Sequence, residues 1–164
     1  MLDDLFQVNG ASLPGSDHLL RGRLVIGTSN QDAFHHHVDA TAIVAVVCDG
    51  CGSGAHSAVG AHLGSRLLVD GLRRSLARGP APLERHLSRA RRRGLRILGG
   101  LAGRLPGCRE TVIRETMLFT VVGLVLTAET LTVFGLGDGL YAVNDAVVRL
   151  GPFPDNAPPY LGYA

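Results

Sequence analysis

Asp49 stands at the start of a glycine-rich turn, where a carboxylate could bind a metal ion. It ends a run of apolar, β-branched residues and opens the sequence Asp-Gly-Cys-Gly-Ser-Gly, residues 49–54. A carboxylate beside the exposed carbonyl of Gly50 offers the hard oxygen ligands that Mg²⁺ and Mn²⁺ prefer. Such an ion lowers the pKa of a bound water and holds a phosphate group, so this turn suits phosphate chemistry.

Asp32 is a second carboxylate that could join the first. It lies in the polar cluster Asn30-Gln31-Asp32, about one strand length before Asp49. If the two segments run as neighbouring strands, their carboxylates converge. Two simpler interpretations stay open: Asp49 caps the helix that follows, and Asp32 closes an Asx-turn at a loop tip.

The same turn could instead bind phosphates directly at a helix N-terminus. The dinucleotide fingerprint is poorly met, because Ser57 stands where the third glycine of a motif starting at Gly52 should be. The chain contains no lysine, which excludes a Walker-type phosphate loop. An unpaired Asp49 would also repel a phosphate, so a cation between them is the better interpretation.

Three other motifs favour ordinary structural roles. Successive residues of His35-His36-His37 point to opposite faces of an extended segment, so all three cannot easily share one ion. Cys48 and Cys51 have redox or zinc spacing, but no second cysteine pair exists. Twelve arginines and only two acidic residues lie between Arg73 and Arg114. Without interleaved aromatic residues, this stretch favours a solvated helix face over a nucleic-acid site.

The elements that must position these residues follow from periodicity and turn signals. We expect strands at Arg23 to Ile26 and Thr41 to Cys48, helices at about Ala55 to Ala77 and Leu83 to Leu101, and a loop at Gly103 to Gly107. Three further extended runs form a meander: Thr116 to Leu126, Leu131 to Leu136 and Leu140 to Leu150. This order predicts an α+β fold in layers.

Bulk composition is that of a single globular domain. The chain has 164 residues, of which 46% are hydrophobic and 18% charged. The acidic start, Met1-Leu2-Asp3-Asp4, differs from a basic signal peptide, so we expect a cytoplasmic protein. The apolar window Met117 to Gly137 breaks at Glu129, which predicts a hairpin and not a membrane span.

Three motifs in order resemble the PPM-type (type 2C) metal-dependent Ser/Thr protein phosphatases. They are Asn30-Gln31-Asp32, then a strand ending in Asp49-Gly50 with its glycine-rich turn, then Gly137-Asp138-Gly139 before another strand. The resemblance covers about residues 22–150 and treats 1–164 as a single partial domain. It implies a layered α-β-β-α sandwich of two antiparallel sheets between helices, here incomplete.

The resemblance also implies roles for individual residues. Asp49 would bridge two Mn²⁺ or Mg²⁺ ions, the carbonyl of Gly50 would bind one of them, and Asp32 would hold a metal-bound water. Asp138 would sit near a third, weaker ion. Water would attack the phosphorus directly, which makes Asp49 and Asp32 the catalytic candidates. His56 or His62 could be a general acid, although a position on a helix near the site explains both.

Three departures separate the chain from the family pattern. Gly27 stands where the family commonly has a phosphate-binding arginine, a role for which Arg21 or Arg23 are candidates. Gln31 replaces an acidic residue. The later metal-binding aspartates of the family are missing, since Asp155-Asn156 comes too early and reads as a loop.

These features together predict metal-dependent hydrolysis of phosphoserine or phosphothreonine on protein substrates. The expected partner is a phosphorylated protein, with neither nucleic acid nor membrane. The alternative is a catalytically inactive or truncated phosphatase-like module that acts as a regulatory binding domain. A third, weaker alternative is nucleic-acid binding through the arginine-rich helix.

Overall fold

The structure is a computed structural model that describes residues 1–13 and 30–163. Its helices are α1 (Leu2–Leu5), α2 (Ser57–Leu76), α3 (Leu83–Ala102) and α4 (Arg109–Thr116). Its strands are β1 (Asp32–Val38), β2 (Ala42–Gly50), β3 (Phe119–Thr127), β4 (Leu131–Leu136), β5 (Gly139–Val143) and β6 (Ala146–Leu150). Short 3₁₀ turns follow at Pro154–Asn156 and Leu161–Tyr163. The α+β fold expected from the sequence is confirmed.

The first four strands form one antiparallel sheet in the order β1-β2-β3-β4, and β5 pairs with β6 in a separate two-stranded sheet. β2 is therefore bonded on both edges. Its continuous run of β-branched and small residues suits that position, because such a strand packs side chains on both faces.

One face of the large sheet, which we call the helix face, carries the core. Val44, Val46 and Cys48 of β2 point towards it and are almost fully buried. Helix α2 lies against these residues. Gly64 of α2 permits close contact, since a Cβ there would come within 2.2 Å of the ring of Phe119.

The opposite face of the sheet, the open face, carries the other half of β2. Alternation along the strand places Ile43, Ala45, Val47 and Asp49 on this face. The β5–β6 sheet covers part of it, because Gly139 lies close to Val122 of β3. Asp49 thus belongs to the face that the helices leave free.

The two long helices form a closely packed antiparallel pair. Gly71 of α2 lies against Ala90 of α3, where a Cβ on the glycine would come within 2.9 Å of the Cα of Ala90. Small residues at these crossing points let the helix axes approach closely. The bounds of both helices agree with the sequence expectation to within two residues.

Several expectations about the elements were wrong. β2 continues through Asp49 and Gly50, which are strand residues and not the turn. The run expected as a strand from Thr116 begins only at Phe119, after the unexpected helix α4. The single strand expected from Leu140 to Leu150 is a hairpin that turns at Asn144, a residue with φ of 52°. The expected strand Arg23 to Ile26 lies outside the described residues.

Candidate metal-dependent active site

Asp32, Asp49 and Thr120 lie side by side across three strands. In the sheet register, Asp32 of β1 pairs with Asp49 of β2, and Asp49 pairs with Thr120 of β3. Directly paired residues on antiparallel strands have Cβ atoms about 4.5–5.5 Å apart. The register therefore holds the two carboxylates against each other on the open face.

The two carboxyl groups interact strongly. The pKa of Asp49 is raised to about 6, first by burial, then by the charge of Asp32, a hydrogen bond between the two side chains and the charge of Asp138. Although Asp49 remains accessible to solvent, its surroundings disfavour the ionised form. A positive ion at this point would relieve the repulsion between the carboxylates.

Hydrogen bonds join the glycine-rich turn after β2 to the end of α4 and to the segment between α4 and β3. The amide of Cys51 donates to the carbonyl oxygen of Leu118 over 3.0 Å, and the amide of His56 donates to the carbonyl oxygen of Glu115 over 2.8 Å. The carboxylate of Glu115 also accepts from the amide of Ala55 over 3.1 Å. These bonds fix the turn beside Asp49.

Gly50 is required by its surroundings. A Cβ at this position would lie 2.9 Å from the carbonyl oxygen of Gln31 and 2.9 Å from the Oγ of Ser57. Ser57 is fully buried, and its Oγ has no hydrogen-bond partner among the described residues. Any side chain at position 50 would therefore push apart the strands that hold Asp32 and Asp49.

Asp138 reaches the same site from the turn between β4 and β5. Glycines flank it in conformations that favour glycine, with φ of 89° at Gly137 and 156° at Gly139. Asp138 and Asp49 both line a cavity of about 140 Å³. The remaining lining residues are Gly50, Cys51, Gly52, Thr120, Pro158 and Tyr160.

Cys51 and Tyr160 are site residues that sequence reasoning did not find. Burial opposes ionisation of Cys51, but hydrogen bonds from Ser53 and Tyr160 outweigh it and lower the pKa of the thiol. Burial and the contact with Cys51 raise the pKa of Tyr160, so its hydroxyl stays protonated. Tyr160 lies in the irregular segment after β6, which folds back onto the site. No local sequence motif predicts that this segment contacts Asp49.

The donor set fits a hard divalent cation. Two facing carboxylates, a third carboxylate in the same cavity and the glycine backbone at position 50 all offer oxygen. Within residues 1–13 and 30–163, no three His, Cys, Asp or Glu side chains are close enough to bind one ion together. The described residues thus fit one ion between Asp32 and Asp49, with Asp138 nearby.

Of the two simpler interpretations, the cap at Asp49 is wrong, whereas an Asx-turn does form at Asn30-Gln31-Asp32. Helix α2 begins at Ser57 with His56 as its N-cap, so Asp49 does not cap it. Asp32 is the first residue of β1, and it is Asn30 whose Oδ1 accepts the amide of Asp32 over 3.1 Å.

Other sequence candidates lie away from this cavity or outside the description. His56 and His62 are exposed and do not line it. In the histidine run, His36 stacks on Phe34 with ring centroids 5.2 Å apart, and His37 bonds to Asp39 over 3.0 Å. Arg21, Arg23 and Gly27 lie outside the described residues.

A family model described as protein phosphatase 2C matches residues 21–157. The chain belongs to that family. The match covers most of the chain and confirms the resemblance found in the motifs; membership indicates a phosphatase. A comparison with curated proteins finds no match. Among the helices of the described residues, none is both long and apolar enough to cross a membrane.

Proposed function

We propose that the chain hydrolyses phosphoserine or phosphothreonine on proteins, with Mn²⁺ or Mg²⁺ held at Asp32 and Asp49. The observation that carries the proposal is the direct pairing of these two carboxylates, with Asp138 in the adjoining cavity. Membership of the protein phosphatase 2C family supports the reaction class. When bound, the ion supplies a water of lowered pKa as nucleophile and Lewis-acid polarisation of the phosphoryl group.

The residues around the cavity would bind the ion and the phosphoryl group. Asp49, which lines the cavity, and Asp32, which pairs with it on the neighbouring strand, would hold positive charge, and Asp138 would add a third carboxylate. The hydroxyl of Thr120 lines the same cavity and can donate to a phosphoryl oxygen, while the hydroxyl of Tyr160 donates to Cys51 in the cavity wall. Because the pKa of Tyr160 is raised, this side chain would serve as a hydrogen-bond donor and not as a proton source.

Arg149 is our candidate for attracting the substrate's phosphate. It lines a neighbouring cavity of about 350 Å³, which shares Asp138 and Pro158 with the site. Its guanidinium forms no ion pair within the described residues, and a guanidinium suits bidentate contact with phosphate. Arg149→Ala should raise KM for a phosphopeptide more than it lowers kcat.

The catalytic proposal is tested by assaying the purified chain on a phosphopeptide with Mn²⁺, beside Asp49→Asn. Loss of a metal-site carboxylate should reduce turnover by at least about 100-fold, as for other groups that stabilise transition-state charge. Asp145→Asn is the matched control, because Asp145 is an exposed residue in the β5–β6 turn. Equal rates for the parent chain and Asp49→Asn would refute the proposal.

The alternative is a phosphatase-like module that binds a partner without turnover. The lack of a three-ligand cluster among the described residues favours it. Calorimetric titration with Mn²⁺ distinguishes the two functions. Tight binding of Mn²⁺ that is lost in Asp49→Asn would argue for the enzyme, whereas no measurable binding would favour the module.

A further inference from the structure

Charge is strongly segregated along this chain. Residues 73–114 contain twelve arginines against two acidic residues, while the other residues contain four arginines against twelve acidic residues. The basic part comprises the end of α2, all of α3 and the start of α4. Natural domains usually mix the two signs, and a large single-sign surface commonly guides association with a partner.

The arginines of α3 form a straight row, which we call the arginine stripe. It consists of Arg85, Arg89, Arg92 and Arg96, spaced by four, three and four residues. At 100° and 1.5 Å per residue, the four Cα atoms fall within a sector of about 60° and extend over about 16 Å. The buried residues Ala90, Gly94 and Leu98 occupy the opposite side of the helix, so the stripe faces outward.

The stripe is neither neutralised nor loosely held. Glu84 is the single acidic residue of α3, and no arginine of this helix has an ion pair within the described residues. Close packing of Ala90 against Gly71 fixes the helix on α2. A rigid backbone lowers the entropy cost of binding, because the helix that carries the four side chains does not have to form when a partner binds.

The surroundings of the stripe favour a short acidic polypeptide over other anions. No large exposed hydrophobic residue of the described chain lies on α3, which argues against insertion into a membrane surface and against stacking of single-stranded bases. A long duplex would also meet the acidic remainder of the molecule. A short segment that covers only the stripe avoids that repulsion.

We propose that the arginine stripe is a docking surface for an acidic amphipathic helix of a partner protein. A second helix laid along α3 with Glu or Asp at four-three-four spacing matches the stripe in period and sign. Each guanidinium then faces one carboxylate across the interface. The inference is independent of the catalytic proposal, because none of these arginines lines the cavity of Asp49.

The test uses two helical peptides of identical composition on the complete chain. One peptide carries four glutamates at four-three-four spacing, and the other carries them evenly around the helix. At physiological salt the first should bind at least about tenfold more tightly, since four exposed ion pairs of ordinary strength together correspond to that ratio. Equal affinities would show diffuse charge attraction and overturn the proposal.

Matched variants locate the surface. The quadruple change Arg85→Gln, Arg89→Gln, Arg92→Gln and Arg96→Gln should abolish the tenfold preference. The control changes four arginines outside the stripe to glutamine, namely Arg73, Arg74, Arg78 and Arg104, and should keep it. Circular dichroism verifies that both fold, and loss of the preference in the control would overturn the assignment. Tighter binding of a short DNA duplex or of anionic vesicles than of the spaced peptide would also overturn it.

Discussion

At the scale of single residues, the pairing of Asp32 with Asp49 places two carboxyl groups side by side, so that ionisation of both brings two negative charges together. The pKa of Asp49 is raised in the folded chain, chiefly by burial and then by the charge of Asp32. In the unfolded chain an aspartate has a pKa near 3.9. The native state therefore binds the proton more tightly, and stability falls as pH rises from about 4 through about 6.

Asp49→Asn should stabilise the metal-free chain. The expected gain near neutral pH is about 1 kcal/mol in the free energy of unfolding, less than a fully buried group would give, because Asp49 is solvent-accessible. The gain should vanish near pH 4, where the parent carboxyl is protonated. Urea denaturation with a chelator at both pH values measures it, and Mn²⁺ should stabilise only the parent. A variant less stable than the parent at neutral pH would contradict this account.

At the scale of elements, the β1–β2 turn depends on one carboxylate. Oδ1 of Asp39 accepts from the amide and the hydroxyl of Thr41, both over 2.8 Å, and from the amide of Ala42 over 2.9 Å. The hydrogen bonds from Thr41 are the main reason that the pKa of Asp39 is held far below its usual value. This turn sets the register that brings Asp32 opposite Asp49.

Asp39→Ala should cost about 1 kcal/mol of stability near neutral pH, the usual worth of such a cap. Because the folded-state pKa is depressed, this contribution is present above about pH 4 and is lost as pH falls further. Asp39→Asn keeps an acceptor oxygen and should retain most of the stability without the acid dependence. Thermal unfolding of the parent chain and both variants across the acid range measures this. If all three lost stability in parallel as pH falls, the account of Asp39 would be wrong.

Two helical glycines should respond to alanine in opposite directions. At Gly60 of α2 a Cβ would lie 2.5 Å from the carbonyl oxygen of Thr116 and 2.8 Å from the Cα of Met117, so backbone must move. Gly60→Ala should cost about 1–3 kcal/mol. At Gly100 of α3 nothing lies within 4 Å, and Gly100→Ala should gain about 0.5–1 kcal/mol. Urea titration of both variants measures the change in the free energy of unfolding. If the two changes had the same sign, the prediction would be refuted.

Sequence patterns predicted these elements unequally, for physical reasons. The long apolar stripe of α2 and the continuous run of β2 carry strong periodic signals. Helix α4 buries only Val112, so it has no apolar period to detect. The β5–β6 hairpin resembles one strand in sequence, because its turn at Asn144-Asp145 is only two residues long and apolar residues lie on both sides of it. The sequence could predict that Asp32 lies opposite Asp49, because the two residues belong to strands that are consecutive in the chain. It could not predict the position of Tyr160, which depends on packing between segments far apart in the sequence.

At the scale of the whole molecule, the last segment of the chain packs back into the core. Leu161 is 3% exposed and lies within the main hydrophobic cluster. The next residue, Gly162, sits against Met117, where a Cβ would come within 2.8 Å of the carbonyl oxygen. This anchor fixes Tyr160 beside the aspartates, so the stability of the fold and the shape of the site depend on the same contact.

Leu161→Ala should lower the free energy of unfolding by about 2–4 kcal/mol, the usual cost of a buried Leu-to-Ala change. It should also weaken binding of Mn²⁺, because Tyr160 loses its neighbouring support. Leu5→Ala is the control, since that side chain is 74% exposed, and should change stability by less than about 0.5 kcal/mol. Urea unfolding and calorimetry check both, and similar losses in the two variants would refute the anchor.

The position of Tyr160 has a spectroscopic consequence. The chain contains no tryptophan and only three tyrosines, at 141, 160 and 163. Tyr160 lines the same cavity as Asp49 and Asp138, so its excited ring can transfer energy to an ion at the oxygens that we propose as ligands. A luminescent lanthanide such as Tb³⁺, which prefers the same hard ligands, should therefore show sensitised emission when tyrosine is excited. Tyr160→Phe should darken that emission and Tyr141→Phe should leave it, which would let ion occupancy be read optically in the unmodified chain.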